Sequence, residues 1–426
     1  MRRGIFIRSL LAAAVPAGML AGCSSSGGPL GSTTYVQAAA AMQIPVDTAQ
    51  LRQAEAGSEA LSLSLLRQLG SGNDSMIFSP QTLVDLFGMI LPGASGQSAT
   101  ELSTALGAGG LGANTTAAAL GKIDSSVRLD AQAGSNTFAE SADVWGAKNL
   151  KFAQSYLAAL DGAFNTGVHQ ADFADDPDGA RNAINNLVSQ ETHGYIPELF
   201  GQKSIGTTTR IVLTDAVYLD ATWTEPFDPS NTSTGNFYPA TGSTEQASMM
   251  NQSAGFDYAS GNGWQLAELP YTGGKLAMDV LLPAKGSGTL AALRNGLTVS
   301  SLTSMLSSMA RRQVDLTIPK FTTDYAPSTL MQSLRTLRLG GLFDNFDLTG
   351  MTATGERLKV SEIVEKAHIA VSEHGTIAAA AAGAGGVGAA EAEPIAVPFI
   401  ADHPFLYLIR DLSTGQILFA GQLASM

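Results

Sequence analysis

The 426-residue chain contains a single cysteine, Cys23, so no internal disulfide can form, and export would leave it with one unpaired thiol. Basic side chains are scarce: 24 lysines and arginines stand against 37 aspartates and glutamates, a formal net charge of −13. That balance argues against nucleic acid or an anionic membrane surface as a partner. No internal repeat recurs, and after about Pro45 no second linker divides the chain, which leaves one large domain or two closely knit ones.

Catalytic signatures are missing as well. No serine is followed three residues later by lysine, and Gly93-Ala94-Ser95-Gly96-Gln97 lacks the second glycine of a nucleophile elbow. The five histidines are scattered. None lies in H-E-x-x-H, and His368 and His374 have no cysteine or close acid pair to complete a metal set. Gly383 to Gly388 fits G-x-G-x-x-G, but an alanine run precedes it and Glu-Ala-Glu-Pro follows, where a dinucleotide site needs a strand and a helix. No enzyme, cofactor or metal is expected.

What is present begins with an address. Arg2, Arg3 and Arg8 flank an apolar stretch to Leu20 that is too short for a spanning helix and reads as a cleavable leader, residues 1–22. Its end, Leu20-Ala21-Gly22-Cys23, resembles a bacterial lipobox, which implies lipidation of Cys23 and an exported protein anchored in a bacterial envelope, on its periplasmic or surface face. A single acyl chain anchors only marginally, so stable attachment needs a multiply acylated cysteine. An ordinary secretory leader with a chance cysteine is the other reading and gives a secreted, extracellular protein. Residues 23–48 are rich in Ser, Gly, Ala and Thr and read as a flexible linker, with the folded domain over 49–426.

Leu61, Leu65, Leu66 and Leu69 at helical spacing before Gly70 predict an amphipathic helix; Met76-Ile77-Phe78 predicts a buried strand, and Ser79-Pro80 a capped helix start. A further helix is expected over Ala180 to Leu187, ending at Thr192-His193-Gly194. Short strands bounded by Gly, Pro and Asn follow at Ile211 to Leu219, Phe237 to Tyr238, Phe256 to Tyr258, Trp264 to Leu269 and Leu276 to Leu282. Helices return at Leu290 to Leu293 and Leu302 to Met309, and an apolar hairpin closes the chain with Phe405 to Arg410 and Gln416 to Leu423. Helices first and strands later, without regular alternation, indicate an α+β fold.

Val371 to Ala390 does not fit a compact fold, because about twenty small residues bury too little surface to offset their ordering entropy. Such a loop should be exposed, yet its alanines and glycines are small enough to slide between two strands without overpacking. Within it, Glu373-His374-Gly375-Thr376-Ile377-Ala378-Ala379-Ala380 resembles the serpin hinge, E-E-G-T-x-A-A-A. Further matches fall in serpin order from about Ala49 onward: Phe78-Ser79-Pro80; Asn182 to Leu199; Ala216-Val217-Tyr218 with Trp223; Met249-Met250-x-Gln252; Leu269-Pro270-Tyr271; Ile318-Pro319-Lys320-Phe321; and Ala401-Asp402-His403-Pro404-Phe405.

The resemblance implies a metastable serpin fold of three β-sheets and eight or nine helices, with an exposed reactive-centre loop over about 373–398. It implies an irreversible suicide-substrate inhibitor of serine or cysteine proteases, monomeric, which traps the acyl-enzyme when the cut loop inserts into the large sheet. A non-inhibitory serpin-like binding lipoprotein is the alternative, against which the small hinge side chains speak. Glu373 opens the hinge and Gly375 is its pivot; Thr376, Ala378 and Ala380 turn inward on the two-residue period of a strand, with Ile377 and Ala379 outward. The scissile bond falls at Ala389–Ala390, suiting an elastase-like serine protease with a small primary pocket. A cut after Glu391 or Glu393 by a Glu-directed protease is the alternative. Serpins usually place Asn and His at the positions of Asp215 and Glu365, in the breach region near the top of the large sheet beside Ser79. Two buried carboxyls there would share a proton unless solvent or Lys366 relieves them. Tyr195 stands where lysine is typical, with no functional cost expected.

Overall fold

The computed structural model describes residues 33–376 and 395–426, apart from 73, 287–288, 326–329, 340–342 and 344–345. The helices within those residues are α1 (Thr48–Leu69), α2 (Pro80–Ile90), α3 (Gly96–Ala105), α4 (Ala113–Ala131), α5 (Gln154–Phe164), α6 (Pro177–Glu191), α7 (Thr289–Gly296), α8 (Val299–Ser307) and α9 (Leu330–Leu334). The strands are β1 (Thr34–Val36), β2 (Met76–Phe78), β3 (Thr137–Ala147), β4 (Val168–Ala171), β5 (Ile211–Thr222), β6 (Ser233–Phe237), β7 (Glu245–Gly261) and β8 (Trp264–Pro270). They continue with β9 (Leu276–Pro283), β10 (Ala310–Pro319), β11 (Phe321–Tyr325), β12 (Glu362–Ser372), β13 (Gly375–Thr376), β14 (Val397–Ile400), β15 (Phe405–Asp411) and β16 (Ile417–Leu423).

Local chemistry explains the boundaries that organise the site. Asp47 and Gln50 form a reciprocal capping box at the start of α1, and Gly70 ends it. Ser79 caps α2 by accepting from the Thr82 N–H, with Pro80 in the first helical position where no donor is missed. All eleven residues of α2 are buried, and it packs against β3, β5 and β16. His193 and Gly194, with φ of 53° and 82°, turn the chain away after α6.

The large sheet has the order β1-β4-β3-β5-β13-β12-β11. The other ladder runs β14-β10-β7-β8-β9-β15-β16-β2, with β6 on β7. The expected division into three sheets is softened by β7, a single 17-residue strand. Its first part pairs with β6 and β10, and its end with β8, so two sheets share one continuous strand.

Part of the stretch 23–48 makes defined contacts among the described residues. Thr34–Val36 forms an antiparallel edge strand on β4, the Gly167 N–H donates to Tyr35 Oη at 2.6 Å, and the Met42 N–H donates to Ala158 O at 2.7 Å. A Cβ on Gly162 would stand 2.0 Å from Met42 O, so this glycine lets the segment lie flat against α5. Small polar side chains hid this docking because backbone groups, not side chains, make most of it.

Candidate functional site

The site grows from the end of β12. That strand alternates buried and half-buried side chains down to Val371, then turns through Glu373 and His374 into β13. Gly375 has φ of 153°, and a Cβ there would stand 2.0 Å from Ala221 O, so only glycine lets the returning chain enter between its neighbours. Thr376 follows, 1% exposed, paired with Val371 of β12 on one side and Ala221 of β5 on the other. Its hydroxyl shares a hydrogen bond of 2.6 Å with Tyr271 Oη, and Tyr271 is stacked on Trp223 with ring centroids 4.5 Å apart.

The turn is clasped from outside. Trp223 donates its backbone N–H to His374 O at 2.9 Å and its indole N–H to Ser372 O at 3.0 Å, while the Phe227 N–H donates to Glu373 O at 2.8 Å. Glu373 accepts from Thr232 at 2.9 Å and pairs with Lys320 at 2.8 Å. Burial disfavours its charge, but Lys320 and Thr232 outweigh that and hold the carboxyl below its usual range.

Below the hinge the two flanking strands meet. β5 and β12 pair directly and in parallel from Val212 with Glu362 to Val217 with Ala367. Between that pairing and Thr376, among the described residues, no ladder partner joins Tyr218–Asp220 to His368–Ala370. The sheet is therefore already parted at its upper end, with the first two residues of an extra strand seated in the gap.

Asp215 and Glu365 face each other across the closed part, halfway down the strands rather than at the top of the sheet. They are 0% and 1% exposed. The Ser79 N–H donates to Glu365 Oε1 at 2.5 Å, and the Thr82 hydroxyl donates to Asp215 Oδ2 at 2.6 Å. Asp215 Oδ1 and Glu365 Oε2 have no hydrogen-bond partner among the described residues. Burial lifts the Glu365 carboxyl to about 8, and burial together with the charge of Glu365 lifts Asp215 well above the usual range. Lys366 does not relieve the pair, because its ammonium reaches Glu198 O at 3.2 Å on the opposite face of β12. On that outer face Tyr195, read as a neutral replacement, lies on Tyr218 with ring centroids 3.7 Å apart and ties the chain after α6 to β5.

A second acidic group, unseen in the sequence, lies under β3. One oxygen from each of Asp85, Asp124 and Glu140 falls within 4.8 Å of the others, a spacing that could hold a cation. Arg128 already sits there, with Nε 2.7 Å from Asp124 and Nη2 3.2 Å from Glu140. Burial lifts Glu140 to about 8, Arg128 opposing. The sequence carries only the Gln81/Asp85 and Asp124/Arg128 spacings of four residues, and no local pattern joins α2, α4 and β3. Cys23, Ala378, Ala380, Ala389 and Ala390 lie outside the described residues, as does the glycine pattern of 383–388.

A mixed fold with a seven-stranded sheet whose strands β5 and β12 are parted at one end around Gly375 and Thr376 is the arrangement of a class of protease inhibitors. Comparison with known proteins agrees. A family model described as Serpin (serine protease inhibitor) matches residues 56–426. Human serpin B3 is 32% identical over 372 residues, covering 83% of this chain and 94% of that protein. Iripin-2 of Ixodes ricinus is 32% identical over 364 residues, covering 84% and 90%. Native protease nexin-1, solved with heparin, superposes with a TM-score of 0.77 at 27% identity over 88% of this chain and 100% of that one. Uncleaved ovalbumin shares the fold with a TM-score of 0.76 at 23% identity, over 88% and 100%. The chain belongs to the serpin family, a family of protease inhibitors and not of enzymes.

Proposed function

We propose that the protein is an irreversible suicide-substrate inhibitor of serine proteases, with cysteine proteases as a second target class. The observation that carries this reading is the seating of Gly375 and Thr376 between β5 and β12, above a stretch where those strands still pair with each other. A protease nucleophile attacks the carbonyl of Ala389, the amine of Ala390 leaves, and the acyl-enzyme ester holds the enzyme on the cut end. The freed segment then continues β13 downward, with Ala378 and Ala380 following Thr376 into the inner face. Each residue entered exchanges solvated backbone groups for ladder bonds on both sides. The bound enzyme travels with the strand, and its active site is distorted before the ester can be hydrolysed.

Ala389 offers a side chain small enough for the shallow primary pocket of an elastase-like enzyme. Residues 1–22 are read as a leader and Cys23 as the lipid-bearing residue. The ten peptide links from Cys23 to Thr33 reach at most about 35 Å when extended, so a lipid there would hold the β1 edge of the sheet close to the membrane.

The reading is tested by mixing the protein with an elastase-like and a trypsin-like protease and separating the products on a denaturing gel. A covalent band with the first enzyme, and a released peptide whose mass places the cut after Ala389, are expected. Cleavage in the loop without any covalent band would replace the inhibitor by a non-inhibitory binding protein.

A further inference from the structure

The strands that must part for a loop to enter are joined at their middle by two carboxyl groups with no base between them. We propose that a proton shared by Asp215 and Glu365 latches the closed sheet, and that losing it speeds the entry of a strand between β5 and β12. This rests on the insertion mechanism proposed above.

The geometry supports a latch on this seam in particular. The two residues are direct register partners on the strands that separate, and each already spends one oxygen on a donor from α2, the Ser79 N–H or the Thr82 hydroxyl. The remaining oxygens, Asp215 Oδ1 and Glu365 Oε2, are buried without a donor. A proton on either carboxyl removes the repulsion between them and supplies a donor where two buried oxygens lack one; two bare carboxylates on directly paired residues in a dry interior repel by roughly several kcal/mol.

Among the described residues, the surroundings offer no competing cation. From α2, Gln81 is committed to Asp85, which lies one turn beyond. From β3, Glu140 is another acid, whose charge when ionised raises Asp215 further. Arg128 of α4 is engaged by Asp124 and Glu140. On β12 itself, Lys366 and His368 point to the other face, where His368 meets Asp324 of β11 at 2.6 Å. Among the described residues, no cation is paired with either carboxyl.

Entry of a strand changes this geometry in a defined way. Neighbouring strands lie about 4.8 Å apart, so an inserted strand moves β5 and β12 to about 9.6 Å. The carboxyls no longer share a proton at that separation, and the raised Glu365 falls toward its ordinary range. The closed sheet therefore binds a proton that the opened sheet releases. The closed form keeps this advantage in full below about pH 4.5, the ordinary range of a glutamate, and loses it as pH rises from there through about 8, where Glu365 titrates. Insertion becomes faster over that window, by up to about tenfold per pH unit.

The test follows uptake of an acetylated synthetic peptide with the sequence Thr376 to Ala389 by the intact protein, from pH 5.5 to 9, read as the rate of gain in thermal stability. The latch predicts a rate that rises about tenfold or more between pH 6 and pH 9, and Asp215→Asn or Glu365→Gln should make it nearly flat. Glu140→Gln should leave the dependence in place. A flat wild-type rate, or a dependence lost in Glu140→Gln and kept in Asp215→Asn and Glu365→Gln, overturns the latch and leaves insertion standing. Failure of the peptide to enter at any pH, with no stabilisation on cutting the loop, removes the insertion mechanism and the latch together.

Discussion

Thr376→Arg places a charge where the hinge is most tightly held. Thr376 is 1% exposed and spends its hydroxyl on the buried Tyr271, between two ladder partners. Arginine there loses that hydrogen bond, about 1 kcal/mol, and meets an apolar layer with no acid in the described contacts of Thr376. Burying the guanidinium without a partner costs several kcal/mol more, so the side chain stays outside and draws β13 out of the sheet. If only about 3 kcal/mol of this reaches the barrier to insertion, the step slows by more than about a hundredfold. Hydrolysis of the acyl-enzyme then wins, and the inhibitor becomes a substrate. The assay is a titration of a fixed amount of protease, with covalent complex and cleaved protein quantified on denaturing gels. Wild type should give mostly complex and Thr376→Arg almost only cleaved product, with Thr376→Ser close to wild type. Covalent complex from Thr376→Arg at the wild-type ratio would refute the inward seating of this residue as a step of the trap.

Lys320→Ala leaves Glu373 buried with only Thr232 beside it, so the carboxyl should rise toward or above its ordinary range and the hinge turn should loosen, seen as faster proteolysis after Glu373. Deleting residues 33–36 strips the edge strand from β4 and should lower the melting temperature by several degrees, roughly the loss of a few net hydrogen bonds, while Tyr35→Phe should cost less. Glu140 and Glu365 both have folded pKa values above their unfolded ones, so the stability they contribute is complete below about pH 4.5 and disappears as pH rises through about 8; melting curves of the uncut protein from pH 5 to 9 should show a steady decline that Glu140→Gln and Glu365→Gln each reduce. Cys23→Ala should abolish incorporation of labelled fatty acid and release the protein from the membrane fraction.

Elements defined by local chemistry were legible from the sequence. Gly70 ends α1, Ser79-Pro80 opens α2, His193-Gly194 closes off α6, and the hairpin of β15 and β16 lies where two apolar runs flank a polar turn. Gly375 and Thr376 stood out through the resemblance of Glu373 to Ala380 to the serpin hinge, while their pairing with β12 and β5 came from the structure. Tertiary facts were not legible. The docking of Thr34–Val36 depends on the free edge of β4, which lies far along the chain. The clustering of Asp85, Asp124 and Glu140 depends on how α2, α4 and β3 stack. Asp215 and Glu365 were suspected as a pair from family positions, but their placement halfway down the seam, the exclusion of Lys366 and the stacking of Tyr195 on Tyr218 required the register of β12 on β5.

The most direct test of stored strain is a single thermal melt before and after cutting the loop with a protease that acts between Ile377 and Pro394 without being trapped. Ten or so inserted residues, each adding ladder bonds worth about 1 kcal/mol net, should raise the melting temperature by about ten degrees or more. A cut protein that melts at the same temperature as the intact one would show that the gap between β5 and β12 is no receptor for the loop.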